Sequence, residues 1–203
     1  MKIILKTLLT LSLIQGVNLY SSEVQPEDEW KKSVLQVKIT SQRPNHQFPW
    51  LRKKPENKES IGTYVGKNKI LVLASDIEYS TSIEVKKFSS HNPVNANVEK
   101  VDFEANLALI HVEDEKFTND LQPIKFQNKI QTSKTVSLVQ LDNSGTIQSS
   151  RGRVTGIDIE NYTNSYIELP YMSLSINEKL QGKGELILYK NKFIGVLYQF
   201  ISA

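Results

Sequence analysis

A succession of short apolar runs, each closed by turn-forming residues, constrains this chain more than any other feature. Runs rich in β-branched and aromatic residues occupy residues 34–40, 62–65, 69–73, 82–88, 96–101, 107–112 and 135–141. Further runs occupy 151–159, 165–169, 185–189 and 193–200. Most are bounded by Gly, Asn, Pro, Ser or Asp, and no long helical period separates them. Short strands at this spacing predict an all-β barrel or sandwich. Gly66-Lys67-Asn68-Lys69 and Lys190-Asn191-Lys192 lie between apolar runs as hairpin turns should, and Asp142-Asn143-Ser144-Gly145 is a further turn cluster.

A chain of 203 residues can bury a substantial core. Its net charge of +3 is small and evenly spread, so a nucleic-acid partner is not expected. The absence of cysteine removes disulfides, thiolate metal sites and a cysteine nucleophile. His46, His91 and His111 are the three imidazoles, and none has metal-ligand spacing to another. The acidic run 113–115 reads as a solvated turn. Neither a metal nor a cofactor is expected.

Met1 and Lys2 give a positive start, residues 3–17 are largely apolar, and the small residues Ser21 and Ser22 follow. That apolar stretch is short for a bilayer span, so residues 1–22 are predicted to be a removed signal peptide. The mature protein is then expected to be exported, periplasmic or secreted, with no integral membrane span. Losing Lys2 and Lys6 takes the net charge from +3 to +1. Residues 23–32 read as a loose polar leader and 33–203 as the folded domain.

Residues 41–60 form the one long irregular stretch, with three prolines, Phe48, Trp50 and the cations Arg52, Lys53 and Lys54. Loops of this length are functional or mobile. The expectation is a solvated loop that Phe48 and Trp50 pin to the barrel. In the functional reading the same two side chains meet a partner.

Three segments, taken together, resemble the trypsin-like protease domain of the HtrA/Deg family. Residues 69–85, KILVLASDIEYSTSIEV, are similar to the family's strand, Thr-x-x-His-Val turn and following strand, with Ser75 in the place of the histidine. Residues 98–112, VEKVDFEANLALIHV, resemble its Asp-x-x-x-Asp-Leu-Ala-Leu-Leu segment. Asp102 matches the first aspartate, and Asn106 stands at the catalytic one. Residues 181–196, QGKGELILYKNKFIGV, resemble Asn-Ser-Gly-Gly-Pro-Leu and a hairpin, with Gly182 at the nucleophile, or Lys183 after a one-residue slip. The resemblance spans residues 33–200. It implies a trypsin-like double six-stranded β-barrel with a junction near 120–133. The family adds a PDZ domain, and none is expected in a sequence that stops at Ala203.

The triad substitutions remove the chemistry. A hydroxyl at Ser75 is too weak a base near neutral pH. Asn106 brings no charge and favours the wrong imidazole tautomer. Gly182 has no nucleophile, and Leu180 carries a Cβ where the family's oxyanion loop has glycine. A Lys183 dyad with Ser173 or Ser175 has no local support, and His111 reads as a packed or solvent-facing strand residue. The resemblance therefore implies a pseudoprotease whose groove holds extended or unfolded polypeptide, or a surface protein, by strand addition. Phe48, Trp50 and Lys183 are the candidate contacts. The alternatives are an active endopeptidase with a divergent catalytic set, and a non-catalytic subunit assembling with active relatives. The family also implies homo-oligomers, with Trp30 as an N-terminal trimer contact.

Overall fold

The computed structural model describes residues 29–48, 50–90, 92–142, 144–162, 165–177, 180 and 184–197. The expected signal peptide, the leader up to residue 28, His91, Gly182 and Lys183 lie outside these residues.

Strands β1 (Val34–Ser41), β2 (Glu56–Gly66), β3 (Lys69–Leu73), β4 (Ser80–Lys86), β5 (Val94–Asp102) and β6 (Leu107–Val112) make a closed antiparallel barrel. Its order is β1-β2-β3-β6-β5-β4, and it closes because β4 returns to pair with β1. Alternation along β1 sends Leu35, Val37 and Ile39 inward, where Ile70, Val85, Ile110 and Val112 meet them fully buried. Each such side chain contributes about 1.5–3 kcal/mol through burial. Gly62 permits this packing. A Cβ there would lie 2.6 Å from Ile70 Cγ2 and 2.7 Å from Val37 Cγ2. The β2–β3 turn has Lys67 and Asn68 both at positive φ, the mark of a primed hairpin turn that matches strand twist.

Strands β7 (Thr135–Leu141), β8 (Ile147–Asn161), β9 (Glu168–Ile176), β10 (Leu186–Tyr189) and β11 (Lys192–Val196) form a second, curled sheet. Among the described residues its order is β11-β10-β7-β8-β9. Val136, Leu138, Val154 and Ile187 fill its concave side. The other face of the same strands meets the barrel. There Val139, Leu141, Leu186 and Leu188 pack with Val34 and Ile61.

Trp30 and Ile124 complete this seam. Trp30 sits on a 3-10 turn, Glu29–Ser33, and is 5% exposed. The end of the polar segment is therefore ordered against the core. The indole expected at a trimer contact is spent inside the chain.

Two other expectations shift. The irregular stretch stops at residue 55, because Glu56 to Ser60 pair with Ser41 to Val37 and lengthen β2. The strand expected at 165–169 runs instead from Glu168 to Ile176. Its Pro170 is tolerated because β9 is hydrogen-bonded to β8 alone among the described strands. No helix of the described residues is long and apolar enough to cross a membrane.

Candidate functional site

The β3 strand ends at Leu73 and the chain turns into a single helical turn, α1 (Ala74–Ile77). Across from it lies the β5–β6 turn. Asp102 Oδ1 accepts from the Ala105 N–H at 2.9 Å and tightens that turn. The tightened turn delivers Asn106 in the left-handed region, at φ 52°, which asparagine tolerates better than most residues. Asn106 is 7% exposed. Its backbone oxygen accepts from the Ala74 N–H at 3.1 Å. Its side-chain Oδ1 accepts from the Ser75 N–H at 2.7 Å. α1 and the β5–β6 turn are thus joined at Ala74, Ser75 and Asn106, through backbone and amide. The Ser75 side chain is exposed.

Asp76, the next residue, points the other way and is 4% exposed. Its carboxylate accepts from the Ser60 hydroxyl and pairs with the Lys58 ammonium. Gly184, at φ +74°, lies against this cluster. A Cβ there would come 3.1 Å from Ser60 Oγ and 3.5 Å from Asp76 Oδ2. Only glycine fits both that φ and that approach comfortably. The three segments that carry the family resemblance therefore converge: Leu73 to Asp76, Asp102 to Leu107, and Gly184 onward. Gly182 and Lys183 are outside the described residues.

Beside Asn106 a cleft of about 220 Å³ opens between barrel and sheet. Leu73, Asn106 and Leu107 line one side, with Tyr162, Tyr171 and Phe193 among the residues opposite. The Ser165 hydroxyl donates to the Glu104 carbonyl at 2.8 Å and ties the β8–β9 connection to the β5–β6 turn. Gly195 also faces the cleft, and a Cβ there would meet nothing within 4 Å. The lining is mostly apolar with a few polar groups, as in sites that hold organic side chains.

No described imidazole reaches this place. His111 pairs with Lys69 at the far end of the β3–β6 ladder, whereas Leu73 pairs with Leu107. That separation is roughly 13 Å of strand rise. Ser173 donates its hydroxyl to Tyr171 Oη at 3.2 Å and has no described lysine bonded to it.

Phe48 and Trp50 are not brought to the cleft, whose lining contains no residue of 42–55. They do not pin the loop to the barrel either. Phe48 is 47% and Trp50 78% exposed, and their rings meet edge to face at 5.8 Å. Sequence reasoning missed the aromatic cleft residues Tyr162 and Tyr171, which only the folding of β8 against β9 assembles. It also missed the buried Asp76–Ser60 contact. A lone aspartate closing an apolar strand was the available signal.

No protein-family model matches the sequence. The sequence is similar to Do-like 3, mitochondrial, of Arabidopsis thaliana, 26% identical over 168 residues, which is 82% of this chain and 30% of that protein. It is also similar to Protease Do-like 2, chloroplastic, of the same plant, 24% identical over 170 residues, 82% of this chain and 28% of that protein. The chain thus spans less than a third of the length of these relatives. In structure it is similar to the Rv3671c protease of M. tuberculosis in its active form. The TM-score is 0.67 at 15% identity, over 83% of this chain and 70% of that one. The HtrA-type protease AlgW with tripeptide gives a TM-score of 0.67 at 11% identity, over 85% of this chain and 52% of that one. The fold is trypsin-like, of the HtrA/Deg type, and the sequence similarity supports a relationship to that protease family.

Proposed function

We propose, starting from this HtrA/Deg-like fold, that the chain is a catalytically silent member of the group that holds extended or unfolded polypeptide in the cleft between its two β units. One observation carries the reading: Asn106 Oδ1, at the position of the catalytic carboxylate, accepts from the Ser75 backbone N–H. A triad needs an imidazole between nucleophile and carboxylate, oriented by a negative charge. Here the orienting position is a neutral amide, and the residue at the imidazole position is a hydroxyl turned to solvent. Gly182 supplies no hydroxyl to activate.

What remains fits binding. The cleft beside Asn106 takes an apolar or aromatic side chain between Tyr162, Tyr171 and Phe193. A peptide whose backbone pairs with a strand edge would present alternate side chains to such a pocket. The apolar segment 3–17 supports export before folding.

The test is fluorescence anisotropy with labelled, permanently unfolded casein, on the native protein and on Gly195→Phe, which places a ring in the cleft. Binding without cleavage by the native protein, weakened at least about tenfold by the added ring, is expected for a pocket that seats one side chain. Casein cleavage that survives orthogonal purification and disappears on a single substitution would instead establish the active endopeptidase.

A further inference from the structure

The loop between β1 and β2 contributes no residue to the lining of the cleft and has a structure of its own. Residues 42–48 and 50–55 are folded into a small ribbon. Pro44 bridges to Arg52, the Lys53 N–H donates to the Arg43 carbonyl at 3.0 Å, and the Asn45 N–H donates to Leu51 at 3.1 Å. At the tip, Asn45 Oδ1 accepts from the N–H groups of Gln47 at 3.0 Å and Phe48 at 3.3 Å. The ribbon holds its apolar side chains outward: Phe48 at 47%, Trp50 at 78% and Leu51 at 51% exposure.

Large side chains are rarely left this exposed together without a partner. Behind the tip stand Arg43, Arg52, Lys53 and Lys54, and no carboxylate occurs from 42 to 55. Glu56, the next acid, lies at the base of the ribbon in β2.

We propose that this ribbon docks the protein on an anionic lipid surface, with Trp50, Phe48 and Leu51 entering the headgroup boundary and the four cations resting on lipid phosphates. The cations of the ribbon, with no carboxylate among them, are complementary to the negative charge of such a surface. The shape agrees. The tip residues do not line the described cleft, and the Trp50 indole, 78% exposed, is free to enter a bilayer that deforms around it. Tryptophan favours that boundary because its ring is amphipathic. Apolar insertion and electrostatic attraction then add, as they do for interfacial anchors.

The test uses the full chain and vesicles of phosphatidylcholine alone or mixed in equal parts with phosphatidylglycerol. Segment 1–28 contains no tryptophan and Trp30 is buried in the seam, so quenching by brominated lipid tails reads Trp50. Quenching on the mixed vesicles, little on phosphatidylcholine, and weakening by salt are expected. Trp50→Phe should abolish the quenching. Neutralising Arg52, Lys53 and Lys54 to Gln should weaken binding on the order of fivefold per cation. Each of these positions is exposed, so the variants keep the fold, which circular dichroism checks. Absence of quenching in folded protein, equal Trp50 quenching on both vesicle types, or capture of the tip by a protein without any lipid quenching would overturn the proposal. Casein binding at the cleft is read separately and is independent of either result.

Discussion

The Ser75 backbone N–H donates to the side-chain Oδ1 of Asn106 at 2.7 Å, across the gap between α1 and the β5–β6 turn. On the reading proposed above, the two residues stand where a triad would have its imidazole and its carboxylate, and the contact joins those places directly. It gives those loops a structural purpose that does not depend on chemistry.

Asn106 does two jobs, and substitutions separate them. Asn106→Gly keeps the left-handed backbone and loses only the hydrogen bond, so a loss of about 1 kcal/mol is expected. Asn106→Ala loses the bond and adds the cost of a Cβ at φ 52°, for about 2–3 kcal/mol in total. Urea denaturation measures both. Equal losses would mean that φ is not held by the turn.

Asp76 anchors α1 from below. Asp76→Ala removes the acceptor of Ser60 and the partner of Lys58, and should cost about 2–3 kcal/mol. The figure stays below that of a fully buried ion pair because the Lys58 side chain is 45% exposed. Lys58→Met should cost clearly less. The reverse order would show that the ion pair, rather than the Ser60 bond, holds the turn.

Gly62 has no room to grow. Gly62→Ala forces a Cβ into Ile70 and Val37, and should destabilise by about 1–3 kcal/mol. Gly195→Ala, with open space around its Cβ position, should be near neutral. Comparing thermal midpoints of the two variants checks this.

Acid should loosen the turn over Gln36 late. The Asp142 carboxyl is held below its ordinary value of 3.8, first by the Ser144 hydroxyl and then by backbone N–H groups, chiefly that of Thr146. A depressed folded pKa contributes stability above the unfolded value, and that contribution is lost as pH falls through the folded one. The Thr146 amide should therefore stay native in NMR spectra at pH 4 and move only below it. A midpoint at or above the ordinary value would contradict the hydrogen-bond geometry. Lys87 lowers Asp120 and Lys69 lowers Glu99 in the same sense, and both carboxylates are exposed enough for salt to weaken the effect.

Much of the fold was legible because local chemistry and tertiary demand agree. The runs at 69–73, 107–112 and 135–141 are β3, β6 and β7 residue for residue. Lys67-Asn68 and Lys190-Asn191 turn at positive φ, as residues between two apolar runs should. The start of β2 was hidden because Glu56 to Glu59 are polar, and what holds them to β1 is the backbone ladder and the Thr40 hydroxyl donating to Asn57 Oδ1, neither of which leaves an apolar pattern. Phe48 and Trp50 were misplaced because apolarity alone predicts burial, while a ribbon closed by its own backbone bonds keeps them out. Of the site, Ser75 and Asn106 were legible as a pair through the family resemblance. Their direct bond was not, since it depends on the φ of a single residue. The cleft was not legible at all, because Tyr162, Tyr171 and Phe193 meet Asn106 only after barrel and sheet have packed.

The central claim is that the triad-equivalent positions carry no catalysis. The most direct measurement is labelling of the purified, folded protein with a fluorophosphonate probe, beside the triple variant Ser75→His, Asn106→Asp, Gly182→Ser. The account predicts no covalent label on the native chain, and label in the variant only if its loops re-form a triad geometry. Stoichiometric labelling of the native chain, lost on changing one serine, would contradict the account and identify a working nucleophile.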